Sequence, residues 1–279
     1  MDPMIGDHDS VANDRRTSVR AGFAEILDAL LFAHQWSTLA WSDIRLRYRR
    51  TTLGPLWITL GLGATVFSVG FVYGTLFGNP MSQYLPYFTA GLIAWTLIVT
   101  SLTEGCAAFL GAAAIIKSIP VAPAVHVWRM MARQIIILFH NLVLVVILWL
   151  VFRWHLSWAT LLVVPAFLLN AVALFGAVLA LSIVAARFRD IQLIVTTILQ
   201  LVFLLTPIMW QPRTVPNAAI AYLVELNPFF HFIEIVRRPM LGQSPTLLSW
   251  LYCCVFTALC MYVGIYFYAR YRHRIAFWV

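Results

Sequence analysis

Six apolar runs of about 20 residues or more settle which solvent this chain folds in. A helix crossing the ~30 Å hydrocarbon core of a bilayer needs about that length, because lipid offers no partner to a free backbone N–H or C=O. The runs extend over Leu56 to Phe77, Tyr87 to Leu110, Val127 to Phe152, Leu161 to Ala186, Ile191 to Trp210 and Leu247 to Tyr268. Composition agrees, since 62% of the residues are hydrophobic and only 11% charged, whereas a soluble domain carries roughly a quarter charged residues to hydrate its exterior. The expected fold class is an all-α membrane protein with six transmembrane helices.

An even number of spans returns both ends of the chain to one side. Of the 19 Lys and Arg residues, four (Arg153, Arg213, Arg237 and Arg238) fall on one side and all the others on the opposite side. The positive-inside bias makes the richer side cytoplasmic. Both termini are therefore expected in the cytoplasm, with the protein multi-pass in the plasma membrane. Residues 1–20 are polar and lack the apolar core of a signal peptide, so they read as a disordered cytoplasmic tail. The four cysteines, Cys106, Cys253, Cys254 and Cys260, sit inside apolar runs and behave as small apolar residues.

Two stretches depart from a simple span-and-loop pattern. Within residues 21–50, Phe23, Ile26, Leu27, Leu30 and Leu31, then Trp36, Leu39, Ala40 and Ile44, recur at spacings of three and four, with Arg45, Arg47, Arg49 and Arg50 following. That pattern predicts an amphipathic helix lying in the headgroup plane. The segment from Gln211 to Pro245 is broken by Pro212, Pro216, Pro228 and Pro239. It is too short and interrupted to span twice, and short re-entrant helices before the last span are expected there. Gly70, Gly74 and Gly78 place a small residue at every fourth position, a spacing that lets helices approach closely in lipid.

Chemistry-bearing residues are scattered. His34, His126, His140, His155, His231 and His273 lie on separate segments, and no HxxxH or HExxH spacing puts two ring nitrogens on one helix face. No catalytic residue, metal site or cofactor is expected in this chain, and no nucleic-acid partner. Glu104 falls within the second span, where a lone charge costs roughly 2–4 kcal/mol; it either lines a hydrated conduit or is hydrogen-bonded internally. Lys117, the only lysine, follows Ala-Ile-Ile with no Gly-rich loop before it. A phosphate-cradling loop is therefore not in this chain, and a pump built on it takes its energy from a separate ATPase.

Four stretches resemble one family, the ABC type-2 export permeases that handle polysaccharides, O-antigens and teichoic acids. Arg47-Tyr48-Arg49-Arg50-Thr51-Thr52-Leu53-Gly54-Pro55-Leu56-Trp57 is similar to the family's entry into the first span. Lys117-Ser118-Ile119-Pro120 with Pro123 resembles the cytoplasmic coupling segment, without the usual Tyr-Phe-Pro triplet. Arg187-Phe188-Arg189-Asp190 leading to Thr206-Pro207-Ile208 resembles the fourth loop and fifth span, and Leu226-Asn227-Pro228-Phe229 with Glu234, Arg237 and Leu241-Gly242 resembles the gate before the sixth. In overall character the chain is similar to the actinobacterial branch that exports a lipid-linked cell-wall galactan.

The resemblance implies that residues 51–279 form an ABC type-2 transmembrane domain. It further implies a homodimer docked on two P-loop ATPase subunits that bind ATP and Mg, with a polyprenyl-pyrophosphate-linked polysaccharide, O-antigen-like or galactan-like, as cargo. Under that reading Arg45, Arg47, Arg49 and Arg50 meet lipid headgroups or the carrier's pyrophosphate, and Lys117, Ser118, Pro120 and Pro123 couple to the ATPase. Asn227, Pro228, Glu234 and Arg237 form the external gate. Sugars stack on aromatic faces, so Phe67 with Phe71, and Tyr84 with Phe88 and Trp95, are the expected glycan channel. Two rival classes are a drug or small-lipid exporter of the same fold and a membrane-embedded glycosyl- or acyltransferase.

Overall fold

The computed structural model describes residues 18–76, 78, 80–119, 121–211 and 218–279, the side chains of 218–221 excepted. Every regular element among them is helical. Five helices are long and apolar enough to cross a membrane: α3 (Leu56–Leu76), α4 (Met81–Cys106), α6 (Ala124–Phe152), α7 (Val163–Arg187) and α11 (Leu247–Tyr271). They correspond to five of the six expected spans. The remaining one, α8 (Ile191–Leu205), stops after 15 residues, about 22 Å at 1.5 Å per residue. Pro207 explains the early end, because a proline disfavours helical backbone at the residue before it; Thr206 is extended, at ψ 130°.

The N-terminal segment forms two helices where one was expected. Helix α1 (Val19–Leu31) ends at Phe32, whose ψ of 39° leaves the helical region, and α2 (Ala33–Arg47) restarts immediately. The apolar stripe explains the break. Its spacing jumps to five between Leu31 and Trp36, so an unbroken helix would rotate the second half of the stripe off the first. Helix α1 buries Gly22, Ile26 and Ala29 against the body of the protein and leaves Phe23, Leu27, Leu30 and Leu31 exposed, as suits an apolar strip facing lipid.

Helix α4 is the central element, in contact with α3, α6, α7, α8 and α10. It begins two turns before the expected start at Tyr87, and the added turns bring Tyr84 into the interior at 0% exposure. Helix α3, by contrast, buries only Thr59, Val66, Gly70 and Gly74. Two of these are the four-spaced glycines, and a Cβ on Gly70 would lie 2.3 Å from the Leu85 side chain. The repeat therefore serves packing within the chain, while Gly78, at φ 63°, makes the turn that follows.

Beyond α4 come a short surface helix, α5 (Ala113–Ser118), and the two short helices expected before the last span, α9 (Ala218–Leu226) and α10 (Pro228–Met240). Asn227 caps α10 by accepting a hydrogen bond from Phe229 N at 3.0 Å, with Pro228 in the first turn. Most of α10 is buried, lodged among α4, α7 and α11. A final turn, α12 (Ile275–Trp278), closes the described chain.

The tightest helix crossing is that of α7 on α11. A Cβ on Gly264 would sit 2.3 Å from the Gly176 carbonyl oxygen, and one on Gly176 would sit 2.6 Å from the Cys260 backbone. Backbone meets backbone here, so neither helix has a flexible side chain that could yield. Gly264→Ala is expected to cost about 1–3 kcal/mol by forcing the pair apart, seen as a lower melting temperature of the purified protein. Gly61→Ala, where no heavy atom lies within 4 Å, is the control and should melt as the wild type does.

Candidate functional site

Polar side chains gather at the two ends of α4. Tyr84 and Glu104 stand 20 residues apart on that helix, roughly 30 Å, the thickness of a bilayer core.

At the Glu104 end, α2, α4 and α6 meet through charge. Arg133 donates to Glu104 Oε2 at 2.7 Å and to Asp43 Oδ2 at 2.9 Å; Arg129 donates from Nε to Asp43 Oδ2 at 2.8 Å and from a terminal nitrogen to Asp43 Oδ1. Gln134 adds a 2.8 Å hydrogen bond to Glu104, and Arg47 a 3.1 Å one. Burial alone would raise the Asp43 carboxyl, but the hydrogen bond and charge of Arg129, with Arg133 beside it, hold it below the ordinary carboxylate value. Glu104 is hydrogen-bonded internally and, with Asp43, Arg129 and Arg133, also lines an open cavity of about 350 Å³.

A second junction ties α1 to the same end of the molecule. Tyr268 on α11 donates to Glu25 Oε1 at 2.6 Å and accepts from Ala124 N at 3.2 Å, and Arg272 pairs with Glu25 at 3.1 Å. Helix packing supports it, since a Cβ on Gly22 would lie 2.7 Å from the Ala269 side chain. Both N-terminal helices are thus fastened to the ends of spans.

At the Tyr84 end the non-helical backbone after α8 needs donors, because lipid supplies none. The protein provides them. Tyr84 donates to Met209 O at 2.6 Å, and the Tyr87 hydroxyl lies 3.3 Å from Pro207 O and 3.2 Å from Trp210 O. Arg237, 1% exposed, donates to Pro207 O at 2.8 Å and through Nε to Glu234 Oε1 at 2.8 Å, with a second, shorter contact to the same oxygen. Its guanidinium also lies over the Tyr87 ring, 4.1 Å from the centroid. Arg238 donates to the other Glu234 oxygen at 2.7 Å, and Asn227 to Thr206 Oγ1 at 2.8 Å. Pairing on both oxygens is what allows a carboxylate to remain so buried.

The residues expected at the external gate are therefore brought together. Asn227 and Arg237 bond to one stretch, at Thr206 and Pro207, Glu234 holds Arg237, and Pro228 starts the helix that carries Glu234 and Arg237. Lys117 and Ser118 are exposed on α5 and Pro123 precedes the first turn of α6; Pro120 lies outside the described residues. Arg45, Arg47, Arg49 and Arg50 are all exposed, and Arg47 also reaches the Glu104 network.

The five rings expected to line one channel divide into two sets. Phe67 and Phe71 stack on each other at 6.4 Å on the outer face of α3, 67% and 53% exposed. Tyr84, Phe88 and Trp95 are enclosed in the interior, with Trp95 against Phe203 and Phe229. These are the two stripes that the spacing predicts, the first exposed and the second buried within the chain.

Several members of these networks escaped sequence reasoning. Arg129 and Arg133 enter the sequence reading only in the charge count, although both lie within the third apolar run and their spacing of four places them on one face of a helix. Asp43, on the polar side of the amphipathic stretch, is the acid that faces them. Tyr87, three residues after Tyr84, lies on the same face by the same rule.

Residues 34–241 match the family described as ABC-2 type transporter, which is well over half of the chain. The protein belongs to that family and is a multi-pass membrane transport subunit. Two relatives are both described as O-antigen export system permease protein RfbA. The one from Myxococcus xanthus is 25% identical over 196 residues, 68% of this chain and 74% of its own length. The one from Klebsiella pneumoniae is 20% identical over 236 residues, 84% of this chain and 90% of its own.

Replacing Arg237 by methionine leaves Glu234 with Arg238 and Pro207 O with the longer Tyr87 hydroxyl contact at 3.3 Å. The expected loss is about 3 kcal/mol, at the low end for a broken buried pair because Arg238 remains, read as a fall in melting temperature. Arg237→Met combined with Glu234→Gln should lose less than the two single variants together, since the pair is one coupled unit.

Proposed function

We propose that this chain is the transmembrane permease of an ATP-driven exporter that carries a polyprenyl-pyrophosphate-linked polysaccharide, O-antigen-like or galactan-like, across the plasma membrane. It works as a homodimer on two separate P-loop ATPase subunits, which bind ATP and Mg. The observation that carries this reading is the match to two O-antigen export permeases over most of the chain.

The geometry supports a division of roles between the two ends of α4. The Lys- and Arg-rich end is cytoplasmic on the charge bias, with both termini there. On that side Lys117, Ser118 and Pro123 on and after α5 form the surface that the ATPase presses, and Pro120 belongs to the same segment. Force on it passes directly to α6, which Pro123 begins, and through Ala124 and Tyr268 to α11 and α1. The exposed Arg45, Arg47, Arg49 and Arg50 meet headgroups or the pyrophosphate of the carrier. At the other end α9 and α10 re-enter the outer leaflet and gate the exit, and α8 together with the extended residues after it makes the sixth crossing. The exposed Phe67 and Phe71 on α3 are the rings that a glycan at a subunit interface can reach.

Depletion of this protein in its own cells should cause the lipid-linked glycan to accumulate on the cytoplasmic side, measured by extraction and mass analysis of the polyprenyl-linked pool. An unchanged pool, with depletion confirmed, would remove the polysaccharide reading.

A further inference from the structure

Between α9, α10 and the start of α11, at the Tyr87 end of α4, lies a cavity of about 470 Å³. That volume falls within the roughly 300–1,000 Å³ of sites that enclose small organic ligands. Glu234 and Arg237 form part of its floor and Glu225, Arg238 and Gln243 are among its lining residues; Glu225 and Gln243 are exposed. Arg238 is held to Glu234 through Nε, and its terminal nitrogens make no hydrogen bond to the described residues.

The charges in this cavity balance, with two carboxylates (Glu225 and Glu234) beside two guanidinium groups (Arg237 and Arg238). A site for phosphate or for a metal cation carries an excess of the opposite charge. A balanced wall in which Glu225, Gln243 and the Arg238 terminal nitrogens still offer acceptors and donors instead matches neutral hydroxyl groups, each of which donates one hydrogen bond and accepts others. Phe230 contributes an apolar ring to the same wall, suited to the C–H face of a pyranose.

We propose that this cavity is a sugar-binding subsite within each permease subunit, holding a short stretch of neutral glycan on the outward side of the gate. The proposal rests on the polysaccharide-export reading and adds a place where the chain itself contacts sugar, away from the α4 rings enclosed in its interior. Because the cavity floor is the Glu234–Arg237 unit that holds the backbone after α8, a bound sugar touches the gate directly.

The test uses the full chain in lipid nanodiscs, with neutral oligosaccharides released by mild acid from the cells' own lipid-linked glycan as the probe, and saturation-transfer NMR as the readout. Wild-type protein should transfer magnetisation to the sugar protons. Glu225→Gln and Gln243→Ala, both exposed positions outside the Glu234–Arg237 unit, should each weaken binding about tenfold, as expected for one lost hydrogen bond to a charged or amide group. Phe67→Ala, on the outer face of α3, should bind as wild type does, and unchanged melting temperatures confirm that the variants fold. No transfer from the wild type, or transfer from both cavity variants equal to that from the wild type, overturns the proposal. The depletion experiment separates the two ideas: an unchanged glycan pool alongside cavity-dependent binding would overturn the export reading and leave a sugar site standing.

Discussion

Lipid neither donates nor accepts hydrogen bonds, and that constraint organises this molecule. A continuous span satisfies its own backbone, so the demanding places are where the backbone stops being helical or where a charge enters the core. Both occur here, and both are met by side chains of α4 and its neighbours. After α8 the carbonyls of Pro207, Met209 and Trp210 are met by Arg237, Tyr84 and Tyr87. At the opposite end Glu104 and Asp43 are held by Arg133 and Arg129. Remove these partners and the short α8 and the docked N-terminal helices lose what fixes them.

The same arrangement suits a protein that must move without dissolving its core. Along the interior of α4 contacts are mostly apolar from Phe88 to Leu102, with a hydrogen bond from Thr100 to Gln134 among them. Near its ends, in contrast, elements from distant parts of the sequence are joined by a few directional bonds. Such bonds exchange partners more readily than packed cores deform, so the proposed transmission from the ATPase face to the outer gate has discrete joints at which to act: Asp43 with Arg129, Glu25 with Tyr268, and Glu234 with Arg237.

How much of this was legible in the sequence depended on range. Local periodicity and length located the five long spans, while the remaining one, expected to run to Trp210, stops short before Pro207. The break at Phe32 was also present, as the five-residue gap between Leu31 and Trp36, although the two apolar stripes were read as one helix. Asn227, Glu234 and Arg237 were singled out by family resemblance and prove to share one backbone segment. What spacing does not reveal is which element covers a face. Tyr84, Phe88 and Trp95 do form a stripe, as their spacing predicts, but it is buried, with Phe203 of α8 and Phe229 of α10 against Trp95. The pairing of Asp43 with Arg129 spans 86 positions, and no local pattern encodes a partner that far away.

The central claim is that this chain provides a path for a lipid-linked polysaccharide and takes its energy from a separate ATPase. Reconstitution of the purified permease with its ATPase into sealed proteoliposomes, oriented with the ATPase outside, tests it most directly. With lipid-linked glycan in the outer leaflet, ATP should make the glycan appear in the lumen, protected from added glycosidase, and permease alone with ATP should not. Equal protection without the ATPase, or none with it while ATP is hydrolysed, would contradict the account.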